Sequence, residues 1–193
     1  MSVEDKRGVG PLIMVYGDAR VRVRVEGYIA VNSGGSPSSE HFYEDPVYWE
    51  YWTRALMVRY PNPGMSDEAF SRAIHALMHA LIHASRPVAG AYDTDLGGVA
   101  YPTGHVIIYD SAPGGNGVSR IIFERMEEVE GVAEAILATC GCGDGCPRCV
   151  YSPHYGLGNR LMSRRGALRV LRSVYEGRVK RVDLRGVEGR PMA

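Results

Sequence analysis

Apolar and polar residues alternate strictly along Arg20-Val21-Arg22-Val23-Arg24-Val25. A period of two puts the valines on one side of a strand and the arginines on the other. Strands are therefore expected over 11–16 and 19–31, joined at Gly17-Asp18, with valines toward a core and arginines toward solvent or a nucleic acid. Residues 32–41 are rich in Ser and Gly and predict a flexible loop. An aromatic group follows, Phe42, Tyr43, Tyr48, Trp49, Tyr51 and Trp52. Such rings pack a core, cover a partner or stack on bases, and the pattern leaves the three open. Residues 52–60 predict a further strand, closed by Pro61-Asn-Pro-Gly64.

From Ser66 the period changes to that of a helix. Ser66 is the expected cap, Asp67 and Glu68 suit the positive helix end, and the helix is expected to run to about Ser85. Phe70, Ile74, Leu77 and Leu81 form one stripe along it, and His75, His79 and His83 form another. A loop with a short strand over 87–103 leads to an apolar strand over Val106–Tyr109 and a glycine loop, Asp110 to Gly117. Helices are expected over 118–129 and 132–139, parted near Gly131. Ser163 caps a last helix over 164–176, with Leu168, Leu171 and Val174 inward and Arg165, Arg169 and Arg172 outward. Residues 179–184 predict a charged edge strand. The class is α+β: N-terminal antiparallel strands, central helices against a small sheet, then a four-cysteine loop and a basic helix. One domain spans 1–193, with a strand-rich part at 11–60, a helix and strand core at 66–139, and the cysteine loop and basic helix at 140–176.

Composition adds two constraints. The most apolar helical stretch, Phe70 to Ala84, carries three histidines and Arg72 and is too short and polar to cross a bilayer. The N-terminus has no secretory apolar region, so a cytoplasmic protein away from membranes is expected. The net charge is zero, yet residues 1–147 hold 11 basic and 19 acidic side chains, and residues 148–193 hold 11 and 3. A basic end on an acidic body suits an anionic partner, or pairing between tail and body.

The densest chemistry is Cys140-Gly-Cys142-Gly-Asp-Gly-Cys146-Pro-Arg-Cys149, which holds all four cysteines of the chain. The glycines between the first three thiols let the backbone turn back tightly enough to aim several sulfurs at one centre. Two disulfides are the alternative, and a reducing cytoplasm disfavours them. Four thiolates suit tetrahedral Zn²⁺ at roughly 2.3 Å; a single iron or an iron–sulfur cluster is the lesser candidate. With four protein ligands no position is left for water, so such a zinc is structural.

Several motifs then fall in order: Gly27-Tyr28, His75-Ala-Leu-Met-His79, Asp95-Leu-Gly-Gly98, Tyr109-Asp110 with Pro113-Gly-Gly-Asn-Gly117, and the cysteines followed by Val150, Ser152-Pro153 and Gly156-x-Gly158-Asn159. Together, over about 12–176, they resemble the MrfA-like zinc-binding domain at the C-terminus of superfamily-two DNA repair helicases. Where members carry a further cysteine this chain has Tyr155, leaving the four thiols alone or joined by His154 as ligands; Met162-Ser163-Arg164 replaces Leu-Asp-Lys. The resemblance implies zinc on Cys140, Cys142, Cys146 and Cys149. It also implies a helicase partner, single-stranded or forked DNA, and a contact surface from Arg148, Arg160, Arg164, Arg165, Arg169 and Arg172. No G-x-x-x-x-G-K-[ST] occurs, so the chain has no phosphate cradle for an ATPase of its own. The competing expectation is a metal-dependent, nuclease-like hydrolase using His75 and His79 with Asp93, Asp95 or Asp110. Ala76 stands where the usual metalloprotease helix has its glutamate, which removes the ordinary version. A third is a docking domain with no nucleic-acid contact.

Overall fold

The computed structural model describes residues 1–92, 94–152, 156–176 and 192. Strands β1 (Ser2–Val9), β2 (Leu12–Val31), β3 (Pro37–Arg59), β4 (Leu96–Ala100) and β5 (His105–Asp110) make one antiparallel sheet in the order β1-β2-β3-β5-β4. The helices are α1 (Asp67–Ala89), α2 (Val118–Glu124), α3 (Met126–Thr139) and α4 (Arg164–Tyr175), with a 3-10 turn over Gly156–Leu161 before α4. The α+β class and the C-terminal cysteine loop are as expected. The strand anticipated over 179–184 lies outside the described residues.

Gly17-Asp18 is not a turn. β2 runs through it because β1, which has no apolar alternation to announce it, pairs there; a Cβ on Gly17 would lie 1.8 Å from the Ser2 carbonyl oxygen. Glycine inside a strand here marks a close backbone approach, not a break. The expected loop at 32–41 is likewise only a tight turn at its start. Asn32 Oδ1 accepts the N–H groups of Gly34 and Ser36 at 3.0 and 2.9 Å, and β3 begins at Pro37. The proposed strand over 52–60 is thus the last third of a much longer one. β1 pairs with β2 no further than Asp18, and β5 pairs with β3 only from Ala55. Beyond those points β2 and β3 pair with each other as a two-stranded ribbon, kinked by a register shift between Val25 and Gly27.

The core lies on one face of the sheet. Met14, Tyr16, Leu56, Val58, Val106 and Ile108 point into it and meet α1 and α2. Ser66 caps α1 by accepting from Ala69 N–H at 3.3 Å, as expected, but the helix continues through Pro87 to a left-handed Gly90. Proline is tolerated so near the end because few helical bonds remain to lose. α1 contacts β4 and β5 as well as α3 and α4, so its apolar stripe and His75 and His79 are buried, with His83 half-buried. Met78 lies over Gly98, where a Cβ would come within 2.3 Å of its sulfur, and Ala73 lies against Gly166 of α4. Asp95-Leu-Gly-Gly98 is therefore the approach to β4 and its start, where small residues admit the helix. The break between the next two helices falls at Arg125, not Gly131, which sits inside α3.

Glu130 of α3 is buried where α3, β3 and α4 meet. Tyr60 O–H donates to its Oε1 at 2.6 Å, and Tyr175 O–H donates to Oε2. Burial pushes the carboxyl up to about 7, against those two bonds and with help from the charge of Glu127. Glu127 is paired with Arg7, and Glu134, one turn on, with Arg172. A carboxyl whose folded pKa exceeds its unfolded value stabilises the fold while protonated, and that stability falls as pH rises from about 4.5 through about 7. The full effect is about 3 kcal/mol. Glu130→Gln is expected to remove this decline. Thermal melts should show the variant gaining on the parent between pH 5 and 8, and an equal gap at both pH values would refute the assignment.

Candidate metal centre

Cys140 ends α3, its N–H donating to Ile136 O at 3.2 Å. The Cys146-Pro-Arg-Cys149 turn is closed by Cys149 and Val150 N–H groups donating to Cys146 O at 3.0 and 3.2 Å. The four thiols converge: sulfur separations are 3.5 Å for Cys140–Cys146, 3.6 Å for Cys142–Cys149 and 3.7 Å for Cys146–Cys149, and all four sulfurs lie within 4.8 Å of one another. A disulfide needs about 2.05 Å, so all four are free thiols. A tetrahedron with metal–sulfur bonds of about 2.3 Å has edges of about 3.8 Å, close to these spacings. The donor set fits zinc. Burial raises the Cys146 thiol, but the Arg148 N–H and the neighbouring sulfurs outweigh it and bring it down to about 7; Cys149, the most buried, is pushed far up by desolvation. A divalent cation in place of the thiol protons removes that conflict.

The loop is tied to α4 from both directions. Asp144 accepts Arg165 N–H at 2.9 Å and the Ser163 hydroxyl at 2.9 Å through its carboxylate, and Arg164 N–H at 2.8 Å through its carbonyl. An acid is favourable there, at the positive end of a helix. Arg164 reaches back: its guanidinium donates to Leu137 O at the end of α3 and to Cys142 O at 3.2 Å. Arg164 is buried, which corrects its assignment to a contact surface. Sequence reasoning missed this strut and the Asp144 cap. The available signal was an acid alone among loop glycines, the usual sign of a local cap.

The other arginines divide. Arg172 Nε donates to Glu134 at 2.9 Å and Arg169 Nη2 to Pro63 O at 3.2 Å. Arg148, Arg160 and Arg165 are exposed and form no ion pair among the described residues.

The structure does not bring the histidine helix and the aspartates together. Among the described residues the four cysteines are the sole group of three or more His, Cys, Asp or Glu side chains placed to share a metal ion. His75 and His79 lie with ring centres 5.1 Å apart and planes tilted by 39°, and burial lowers them to about 4 and about 3, so both are neutral near pH 7. His83, next on that stripe, contacts Tyr151 O at 3.2 Å, two residues past the last cysteine. Asp95 Oδ2 accepts Tyr92 N–H at 2.7 Å, and Asp93 lies outside the described residues, as does His154. Asp110 is fully buried and accepts the N–H groups of Asn116, Gly117 and Ser119 at 3.0, 2.9 and 2.7 Å. The Pro113-Gly-Gly-Asn-Gly117 loop thus closes on the chain's own carboxylate, with Gly114, Gly115 and Gly117 at positive φ.

The MrfA Zn-binding domain model matches residues 77–150, a segment that begins in α1 and takes in all four cysteines. An uncharacterized protein of Methanocaldococcus jannaschii is 31% identical over 108 residues, 51% of this chain and 96% of that protein. The chain belongs to the MrfA Zn-binding domain family. A shorter match, 36% identical over 45 residues, covers 23% of this chain and 6% of the uncharacterized ATP-dependent helicase YprA of Bacillus subtilis. The crystal structure of the DUF1998 helicase MrfA bound to DNA superposes with a TM-score of 0.59 at 17% identity, over 89% of this chain and 24% of the helicase. MrfA without DNA gives 0.54 at 19%, over 89% and 22%. This MrfA Zn-binding domain spans about a quarter of the length of the solved chains that it superposes on. Its four-sulfur geometry and its family agree on zinc as the metal. No helix among the described residues is long and apolar enough to cross a membrane.

Proposed function

We propose that this MrfA Zn-binding domain is a zinc-stapled accessory module of a superfamily-two DNA-repair helicase, acting in the cytoplasm, that contacts single-stranded or forked DNA or the motor itself. The chain lacks the phosphate-binding lysine motif, so ATP hydrolysis would come from a motor elsewhere. One observation carries the proposal: a four-thiol site within a fold shared with a helicase solved on DNA. The zinc loop would act by position. Its sulfurs hold the end of α3, Asp144 and Arg164 lock that loop to the start of α4, and Arg148, Arg160 and Arg165 stand exposed around the junction. Free guanidinium groups on a rigid turn suit phosphate oxygens and carry no base preference.

Titrating the zinc-loaded chain with labelled single-stranded and forked DNA at two salt concentrations tests this, alone and beside a helicase of the family. The triple variant R148A/R160A/R165A is expected to bind every sequence more weakly. Its log–log salt dependence should be shallower by about 0.7 for each phosphate of a single strand that is no longer neutralised. Unchanged affinity for DNA and for the helicase would remove this surface from the proposal.

A further inference from the structure

The β2–β3 ribbon has two unlike faces. In an antiparallel pair, residues directly opposite share a face. The register sets Arg20 opposite Trp52, Arg22 opposite Glu50 and Arg24 opposite Tyr48 on one face, and Val21 opposite Tyr51, Val23 opposite Trp49 and Val25 opposite Val47 on the other. Trp52 is 61% exposed and Tyr48 67% exposed, although neither is needed to close the core. Arg20 lies 6.0 Å from the Trp52 ring centre. Three arginines face two glutamates in this part of the ribbon: Glu50 meets Arg22 at 2.8 Å and Arg20 at 3.7 Å, and Glu26 meets Arg24 at 3.6 Å, all well exposed. Exposed pairs of this kind are worth little, so a phosphate can displace the carboxylate. Beside Tyr48 a recess of about 330 Å³ is lined by Arg22, Arg24, Pro46 and Tyr48.

We infer that this face of the ribbon is a stacking platform for single-stranded nucleic acid, with Trp52 and Tyr48 under bases and the arginine row on the intervening phosphates. A single strand fits and a duplex does not: the flat rings can stack only on bases that are already unpaired. Four residues of strand separate the two rings by about 13 Å, so each takes its own base. Arginine between aromatics matches the alternation of phosphate and base along a strand, and positive charge faces the anionic backbone. Of the ribbon's other acids, Glu44 and Asp45 lie in the kink, between the Val25–Val47 and Gly27–Phe42 pairs, and Glu40 lies past it, opposite Ile29. A protein partner would instead use the valine face, with Val21, Val23 and Trp49. The inference rests on the proposal that this domain meets nucleic acid, and assigns the contact to a surface apart from the zinc loop.

Fluorescence anisotropy of the zinc-loaded full chain with labelled oligothymidylate tests it. Trp52→Ala is expected to weaken binding about tenfold, and Trp52→Phe, which keeps a ring, to restore most of it. Arg22→Ala should flatten the salt dependence by about 0.7 in log–log slope. Matching melting temperatures for parent and variants check that the ribbon is intact. Unchanged affinity in W52A and in Y48A overturns the platform. Weakened binding only in V23T and W49A overturns it and moves the strand to the valine face. If the ribbon variants bind normally while R148A/R160A/R165A does not, the platform fails and the zinc-loop contact stands; the reverse result keeps the platform and discards the zinc-loop contact. No binding by the parent chain sinks both.

Discussion

Cys149→Ser is expected to cost the protein its zinc and with it the order of residues 140–152 and of the start of α4. Cys149 is the buried member of the four-sulfur group and also the donor that closes the Cys146 turn. Three thiolates and a hydroxyl bind zinc far less tightly than four thiolates, because the soft donor is lost and the charge falls. In small zinc peptides the metal supplies about 10–16 kcal/mol of folding free energy. Here α1, α3 and the sheet have a core of their own, so the damage should remain local. Elemental analysis should drop from one zinc per chain to none. Hydrogen exchange should rise through the loop and the first turn of α4, while α1 and β5 stay protected. A variant that keeps full zinc, or a parent chain purified without it, would refute the four-thiol site. Acid should mimic the substitution, since protons compete with the metal for sulfur.

The second large effect is expected from Arg164→Ala. The guanidinium is buried and bridges the Leu137 carbonyl at the C-terminal end of α3 to the Cys142 carbonyl inside the metal loop. Its charge sits at the negative end of that helix, where a cation is favoured. Truncation leaves two acceptors without this donor, at about 1–3 kcal/mol each. A decrease of about 3 kcal/mol in chemical denaturation is expected, with faster zinc release to a chelator. Arg164→Lys should recover little, because one ammonium on a flexible stem does not reproduce a planar fork between two carbonyls. If Arg164→Ala instead leaves stability intact and weakens only DNA binding, the strut is wrong and a surface role is right.

These two residues also show how far local pattern reached. The cysteines were legible because a metal site made from one ten-residue turn is encoded by spacing alone: glycine supplies the bends and the thiols supply the chemistry. Arg164 was misjudged for the opposite reason. It lies in a run of arginines one residue after a helix cap, and its spacing matches a solvated basic face. What buries it is the end of α3, 27 residues earlier in the chain. Asp110 and Asp95 looked available for a second metal, yet the glycine loop and the turn before β4 occupy their oxygens with backbone N–H groups. Local composition does not reveal which donors a carboxylate will meet.

The strands divide in the same way. Alternation over Arg20–Val25 was enough to predict a strand and which residues share a face, since a strand's period of two is a property of its backbone, but the valines expected toward a core are half-exposed on a two-stranded ribbon. It was not enough to find β1 or to see that β2 continues through Gly17, because both depend on another segment pairing there. By itself, then, the sequence determined the thiol site, the cap and apolar stripe of α1, and the two faces of β2, all set by bonds or periods spanning a few residues. Only the tertiary structure decided that the histidine stripe is interior, that Arg164 is a strut and that the ribbon's aromatics stand in solvent. Burial is a relation between distant segments, and no local pattern records it.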